Sequence, residues 1–191
     1  MSTETPSILI VGRSRLVLDG AVEILRQRGL TATATNDVEN PRGDTDPREL
    51  RVVVFGGQIP PDKKAEIRAA METLSPGLKF VQGLAGIPGL VADQAQTALD
   101  GECLIPGQAP IFDAGRRAII LSTFAPLDVT VTVYWATEFV PPDPKSESLV
   151  LADQHLPAGE HSFVLPAEVN LDAAFATVRA SGASWSFRLA K

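Results

Sequence analysis

The stretch Ser7 to Gly29, SILIVGRSRLVLDGAVEILRQRG, constrains this chain more than any other. Ile8 to Val11 is a short apolar run with β-branched members, the pattern of a parallel strand covered on both faces. Gly12 ends the run. Leu18, Ala21, Val22 and Leu25 then recur at helical spacing, with Asp19, Glu23, Arg26 and Gln27 on the opposite side. Ser14 fits an N-cap because its hydroxyl can accept from a free amide of the first turn, and Gly29 fits the residue after the helix because glycine tolerates positive φ. A strand that enters a helix through a tight glycine turn commits this part of the chain to α/β architecture. It also aims free helix N–H groups at the space above the strand's carboxyl end, a ready place for an anion or phosphate.

Strand and helix go on alternating. LTATAT, Leu30 to Thr35, alternates and is rich in threonine, so it predicts a second strand near a sheet edge. Asn36 to Arg48 holds Pro41, Gly43 and Pro47 among charges, which leaves room for a loop with at most one helical turn. RVVVFGG, Arg51 to Gly57, is the clearest buried strand. Pro60 and Pro61 open a helix with Ile67, Ala70, Met71 and Leu74 on one face, and Ser75 to Gly77 stops it. Leu78 to Gly83 reads as a strand, Gly83 to Gly89 as a glycine-rich loop, Pro88 to Leu99 as a weaker helix, and Glu102 to Ile105 as a fifth strand. The expectation is a doubly wound parallel sheet with right-handed crossovers over residues 7–106, after a loose tail at 1–6.

The pattern changes after Pro106 to Pro110. From there the sequence predicts six strands and no helix: Ala118 to Phe124, Val129 to Thr137, Ser148 to Ala152, His161 to Leu165, Asp172 to Ala180 and Ala183 to Leu189. DVTVTVYW alternates strictly, with Val129, Val131, Val133 and Trp135 on one face and Thr130, Thr132 and Tyr134 on the other, so one face is buried. Trp185, Phe187 and Leu189 repeat the pattern, and Ala180 to Gly182 is a turn that pairs the last two strands. Residues 111–191 are therefore expected to form a small antiparallel sandwich-like module. Its core is thin enough to favour docking or self-association.

Composition bounds the function. The chain has 191 residues, 45% of them hydrophobic, which suffices for a sizeable core. Its formal net charge is −6 and both halves are net acidic, so electrostatics give no reason to bind nucleic acid. The N-terminus has no basic, apolar leader, and no apolar run approaches a membrane span, so the expectation is a soluble, cytoplasmic protein without membrane contact. Cys103 is the single cysteine, which excludes an intramolecular disulfide, fits a reducing compartment and reads as a buried structural thiol.

ILIVGRSRLVLDGAVEILRQRGLTATAT resembles the opening of a response-regulator receiver domain, and RVVVFGGQIP resembles the stretch around that family's phosphorylated aspartate, with Pro60 downstream. The resemblance covers about Ser7 to Leu99 and implies a flavodoxin-like topology. It also implies where the chemistry departs. Gly12 and Arg13 stand at the family's acidic pair, and Gly56 stands at its phosphoacceptor. Magnesium needs oxygen ligands and phosphotransfer a carboxylate nucleophile, and these positions supply neither. Gln82 to Gly86 lacks a switch Ser or Thr, and no lysine lies between Lys79 and Lys145. VGRSR with the helix after it also resembles the first βα unit of short-chain dehydrogenases. There Leu16 and Leu18 replace the further glycines, and the Tyr-x-x-x-Lys pair is absent because Tyr134 is followed by Glu138.

The remaining constellations are bland. His155 and His161 flank a turn beside Asp153 and Glu160 without a closed metal-ligand set, Gly182 to Ser186 lacks the final glycine of a nucleophile elbow, and Trp135 and Trp185 sit in core rows. The residues that gather at expected strand carboxyl ends are Gly12, Arg13, Ser14, Gly56, Gly57, Gln58, Gly83 and Gly86, and these form the candidate ligand site. Three readings follow. The preferred one is a non-catalytic regulatory or interaction protein without cofactor, built on a phosphorylation-incompetent receiver-like domain, with a β module for a protein partner or homo-oligomerisation. The second is a nucleotide or small-molecule binding protein that uses the Gly12 and Gly56 loops. The third is an enzyme whose residues come from both halves.

Overall fold

The structure, a computed structural model, describes residues 8–43, 45–100, 109–138, 145–180 and 183–189. The chain divides into two compact units, with the break after Leu99. The first unit contains strands β1 (Ile8–Val11), β2 (Ala32–Thr35), β3 (Val52–Phe55) and β4 (Lys79–Gln82), with helices α1 (Arg15–Gln27) after β1, α2 (Pro61–Leu74) after β3 and α3 (Pro88–Asp100) after β4. All neighbours are parallel in the order β2-β1-β3-β4.

Alternation along the strands decides which helix covers which face. Ile8, Ile10, Val52 and Val54 pack with Leu18, Ala21 and Leu25 of α1 and with Val91 and Ala95 of α3. Leu9, Val11, Val53 and Phe55 pack with Ile67 and Met71 of α2. Every residue of β1 and β3 is buried, which is why these strands read as unbroken apolar runs. Each such side chain contributes roughly 1.5–3 kcal/mol relative to exposure.

The ends of α1 follow the expected chemistry. Ser14 Oγ accepts from the Val17 N–H at 3.3 Å. Gly29, at φ 77°, donates to Arg26 O at 2.9 Å while Leu30 N–H donates to Leu25 O at 3.0 Å, the paired bonds of a Schellman ending. The β2–β3 connection holds one 3-10 turn, Pro47–Glu49, capped by Asp46. In α2 the buried face is narrower than the spacing predicts. Ile67 and Met71 are buried, whereas Ala70 and Leu74 are exposed, because the stripe over the sheet is only one residue per turn wide. The expected strand at Glu102 to Ile105 and Cys103 lie outside the described residues.

The second unit is antiparallel throughout: β5 (Ile111–Asp113), β6 (Ala118–Thr123), β7 (Leu127–Glu138), β8 (Lys145–Leu156), β9 (Gly159–Val164), β10 (Ala174–Ala180) and β11 (Ala183–Leu189). One sheet has the order β11-β10-β7-β8 and the other β5-β6-β9. Inward residues of both sheets share one core, including Ile119, Leu121 and Phe163 from the second and Val131, Val133, Trp135 and Val178 from the first, so the unit is a sandwich. Three expectations change. β5 is a strand that the sequence reading missed. Asp172 belongs to a 3-10 turn, Leu171–Ala173, capped by Asn170, so β10 starts two residues later than expected. β8 runs well beyond Ser148 to Ala152, and a register shift opposite Val131/Thr132 breaks the alternation that would have marked its full length. Tyr134 is also buried, although it lies on the face of β7 opposite the valine row, beside Phe175 in the ladder.

Candidate functional site at the carboxyl ends of the parallel strands

The chain leaves β1 toward β2 on one side and returns to place β3 on the other. The β1–α1 and β3–α2 loops therefore diverge at the point where strand order reverses, the usual position of a crevice in an open α/β sheet. Three glycines line this edge. Each continues its strand's pairing by one residue: Gly12 N–H donates to Thr35 O at 3.1 Å, Gly56 N–H to Val11 O at 2.8 Å and Gly83 N–H to Phe55 O at 2.8 Å. By alternation all three share the α1/α3 face with Ile10, Val54 and Val81.

The row is tight for side chains. A Cβ on Gly56 would lie 3.3 Å from the Gly12 Cα and 3.4 Å from Val11 O, and one on Gly83 would lie 3.0 Å from Phe55 O. A Cβ on Gly12 would meet Leu18 Cδ2 at 3.2 Å. Close backbone approach favours glycine at Gly56 and Gly83, while at Gly12 the near neighbour is the side chain of Leu18 of α1. Gly57 differs, since its Cβ would meet nothing within 4 Å.

The structure brings Gly12, Gly56 and Gly83 into contact range. The rest of the candidate set surrounds them. Arg13 is exposed, Ser14 is half-buried at the α1 cap, Gly57 and Gln58 form an exposed turn, and Gly86 is exposed in the β4–α3 loop. Asp37 is engaged locally, its carboxylate accepting from Glu39 N–H at 3.1 Å and Asn40 N–H at 3.0 Å. Lys63, in the first turn of α2, bonds Glu39 at 2.8 Å and Glu66, and both carboxylates, Glu39 foremost, raise its pKa. This bond ties the exit of β2 to the start of α2. In the β2–β3 loop, Arg48 grips Asp46, and that hydrogen bond holds the exposed Asp46 carboxyl down at about 2.

Sequence reading missed two polar devices that shape this edge. Gln94 of α3 lies along β4 and accepts from Leu84 N–H at 3.0 Å while donating to Gln82 O at 3.3 Å, as a neighbouring strand would. Further along the same helix, the buried Asp93 pairs with Arg28 at the end of α1 at 2.8 Å, and Arg28 also donates to Gln96 at 2.9 Å. Elsewhere along this seam a Cβ on Gly20 would lie 3.1 Å from Pro88, so the middle of α1 closely approaches the start of α3. The available signal was Asp93 itself, a charge three residues after Leu90 on the apolar face of α3.

In the sandwich, His155 Nδ1 bonds Asp128 at 2.9 Å and His161 Nε2 bonds Pro157 O at 2.8 Å, each on its own partner. Among the described residues no three His, Cys, Asp or Glu side chains group as metal ligands. Trp135 lies in the core and Trp185 packs against it. No helix among the described residues is long and apolar enough to cross a membrane. Compared with protein-family models and with curated proteins, the chain matches none.

Proposed function

We propose that this is a non-catalytic regulatory or interaction protein, a receiver-like α/β unit that cannot be phosphorylated joined to a β-sandwich that mediates self-association or partner contact in the cytoplasm. The observation that carries this reading is the closed backbone at Gly56. The receiver resemblance assigns the phosphoacceptor to this position, and a Cβ there would press on Gly12 at 3.3 Å. The scaffold keeps its doubly covered strands while the space for the acidic chemistry is filled by main chain and by Leu18. For the sandwich, support comes from large apolar side chains left in solvent: Ile111, Phe124 and Val164 are each more than half exposed.

The test treats wild type and Gly56→Asp with acetyl phosphate and magnesium, reads intact mass, and follows wild type by sedimentation velocity over a wide concentration range. The expected result is no phosphoryl adduct on either protein and a concentration-dependent oligomer. An adduct on the wild type overturns the incompetent-receiver reading, an adduct on Gly56→Asp overturns the closed-backbone account that carries it, and a monomer at every concentration with no co-purifying partner overturns the assembly reading. A second reading is favoured by the reversal of strand order at β1/β3, where the loops of Gly12 to Ser14 and Gly56 to Gln58 would hold a nucleotide or similar small molecule. Native mass spectrometry of freshly purified protein separates the two: a retained nucleotide mass supports the second, and a bare oligomer the first.

A further inference from the structure

The two sheets of the sandwich end in β11, β8, β5 and β9, and these edges differ in how well they could take another strand. A free edge presents unpaired N–H and C=O groups, and proteins blunt it by shortness, charge or bulges. β5 has three residues. β8 carries register shifts together with Lys145, Glu147 and Asp153. β9 opens on Gly159 at φ 140° and carries Glu160. The seven residues of β11, ASWSFRL, pair with β10 one for one and without a shift, and no strand lies beyond them among the described residues. Arg188 is the one charge in β11 and is already engaged, donating to Asp172 O at 2.9 Å.

This open edge has a definite pattern. Trp185 and Phe187 pack against the core of the sandwich yet stay only half-buried. Ala180 and Ala183, which face each other in the ladder, are separated by two residues, the spacing at which the closing pair of a hairpin is hydrogen-bonded. Bonding alternates along an antiparallel pair, so Ala183, Trp185, Phe187 and Leu189 bond to β10 and the backbone groups of Ser184, Ser186 and Arg188 point outward.

The order of residues along β11 matches itself. In an antiparallel pair of β11 strands centred on Ser186, Trp185 meets Phe187 of the second copy, Ala183 meets its Leu189 and Ser184 meets its Arg188. The outward backbone groups then exchange about six hydrogen bonds. The aromatic pairs form on the core side, where both rings are incompletely covered, and the two guanidinium groups stay apart. Other registers do worse. An axis at Arg188 sets like charges opposite each other, and an axis at Trp185 or Phe187 leaves two residues of each strand unpaired.

We propose that two copies of this chain pair through β11, antiparallel about a two-fold axis at Ser186, so that their four-stranded sheets join into one. The occupant of the edge is a second copy because the edge complements its own sequence, and a contact of this kind closes at two subunits. The proposal rests on the self-association reading above and names the surface that carries it.

The test is sedimentation velocity of the full chain over a wide concentration range, for wild type, Ser186→Lys, Ser186→Glu and an equal mixture of the two variants. Ser186 lies on the axis, so either variant alone sets like charges opposite each other, whereas the mixture sets opposite ones. Wild type is expected to show a monomer–dimer equilibrium, each variant alone to need roughly 10-fold more protein to dimerise, and the mixture to return to the wild-type range. Tryptophan emission of the wild type should move to longer wavelength on dilution through the dissociation, as Trp185 loses its cover. Cooperative thermal unfolding checks that each variant is folded, and if neither folds the wild-type emission decides. Dimers that the folded variants form as readily as wild type, a mixture that associates no better than either variant, or an emission unchanged by dissociation overturns this edge and leaves self-association standing. A wild type that is monomeric throughout overturns both.

Discussion

The seam between α1 and α3 carries an ion pair whose two ends are unequally wet, and that inequality has a measurable consequence. The Asp93 side chain is 1% exposed and the Arg28 side chain 24%. Arg28→Met takes the guanidinium from a buried carboxylate, and removing one partner of a buried pair costs about 3–5 kcal/mol. Asp93→Leu instead leaves a guanidinium that reaches solvent and still donates to Gln96, so the loss should be about 1–2 kcal/mol. The double variant removes both charges and places two apolar side chains against Val91, Ala95 and Leu25, so it should lie within about 1 kcal/mol of wild type. The assay separates the units without cutting the chain, because the described α-helices all belong to the first unit and both tryptophans to the second. Ellipticity at the helical minimum therefore follows the first unit, and tryptophan fluorescence follows the sandwich. At roughly 4–8 °C per kcal/mol for a unit of this size, Arg28→Met should lower the helical transition by about 12–40 °C and Asp93→Leu by about 4–16 °C. Equal losses from the two single variants, with the double equal to their sum, would refute the reasoning, since a solvated pair has no such asymmetry or coupling.

The other expectations follow from single positions. Gly83→Ala should cost about 1–3 kcal/mol because its Cβ would meet the Phe55 carbonyl at 3.0 Å, while Gly57→Ala, with open space and no positive φ, should be neutral or raise stability by up to about 1 kcal/mol; paired thermal melts decide. Asp46 should titrate near 2 by carboxyl NMR, and Arg48→Ala should return it toward the model-compound value of 3.8. Its folded pKa is depressed, so the support it gives the β2–β3 loop is complete above about 3.8 and disappears as pH falls through about 2. A midpoint unchanged in Arg48→Ala would show that the pairing does not set it.

The α/β half was readable because β1 and β3 are apolar on both faces and the first helix carries each expected end signal, from Ser14 to Gly29. In the sandwich, strict alternation made β7 and β11 plain, while the register shift in β8 and the three-residue length of β5 erased the period on which such a reading depends. The glycines were correctly grouped at one edge, but whether a glycine opens a site or merely lets backbones touch is decided by atoms on neighbouring strands, which no local pattern contains. Gly57 and Gly83 look alike in sequence and differ completely in what a side chain would meet. The same holds for Asp93, Arg28 and Gln94, whose partners lie on other elements.

Among the described residues β4 is the last strand of its sheet, and Gln94 gives its outer edge an unusual property. A side-chain amide already occupies the acceptor at Gln82 and the donor at Leu84, the two groups that an incoming strand would use there. Any strand arriving at that end must displace both bonds, exchanging like for like with little net gain. The edge therefore works as a reversible stopper against unwanted sheet extension. Unlike a proline or a lysine placed there, it can be swung aside by rotating one side chain, with no strand having to move.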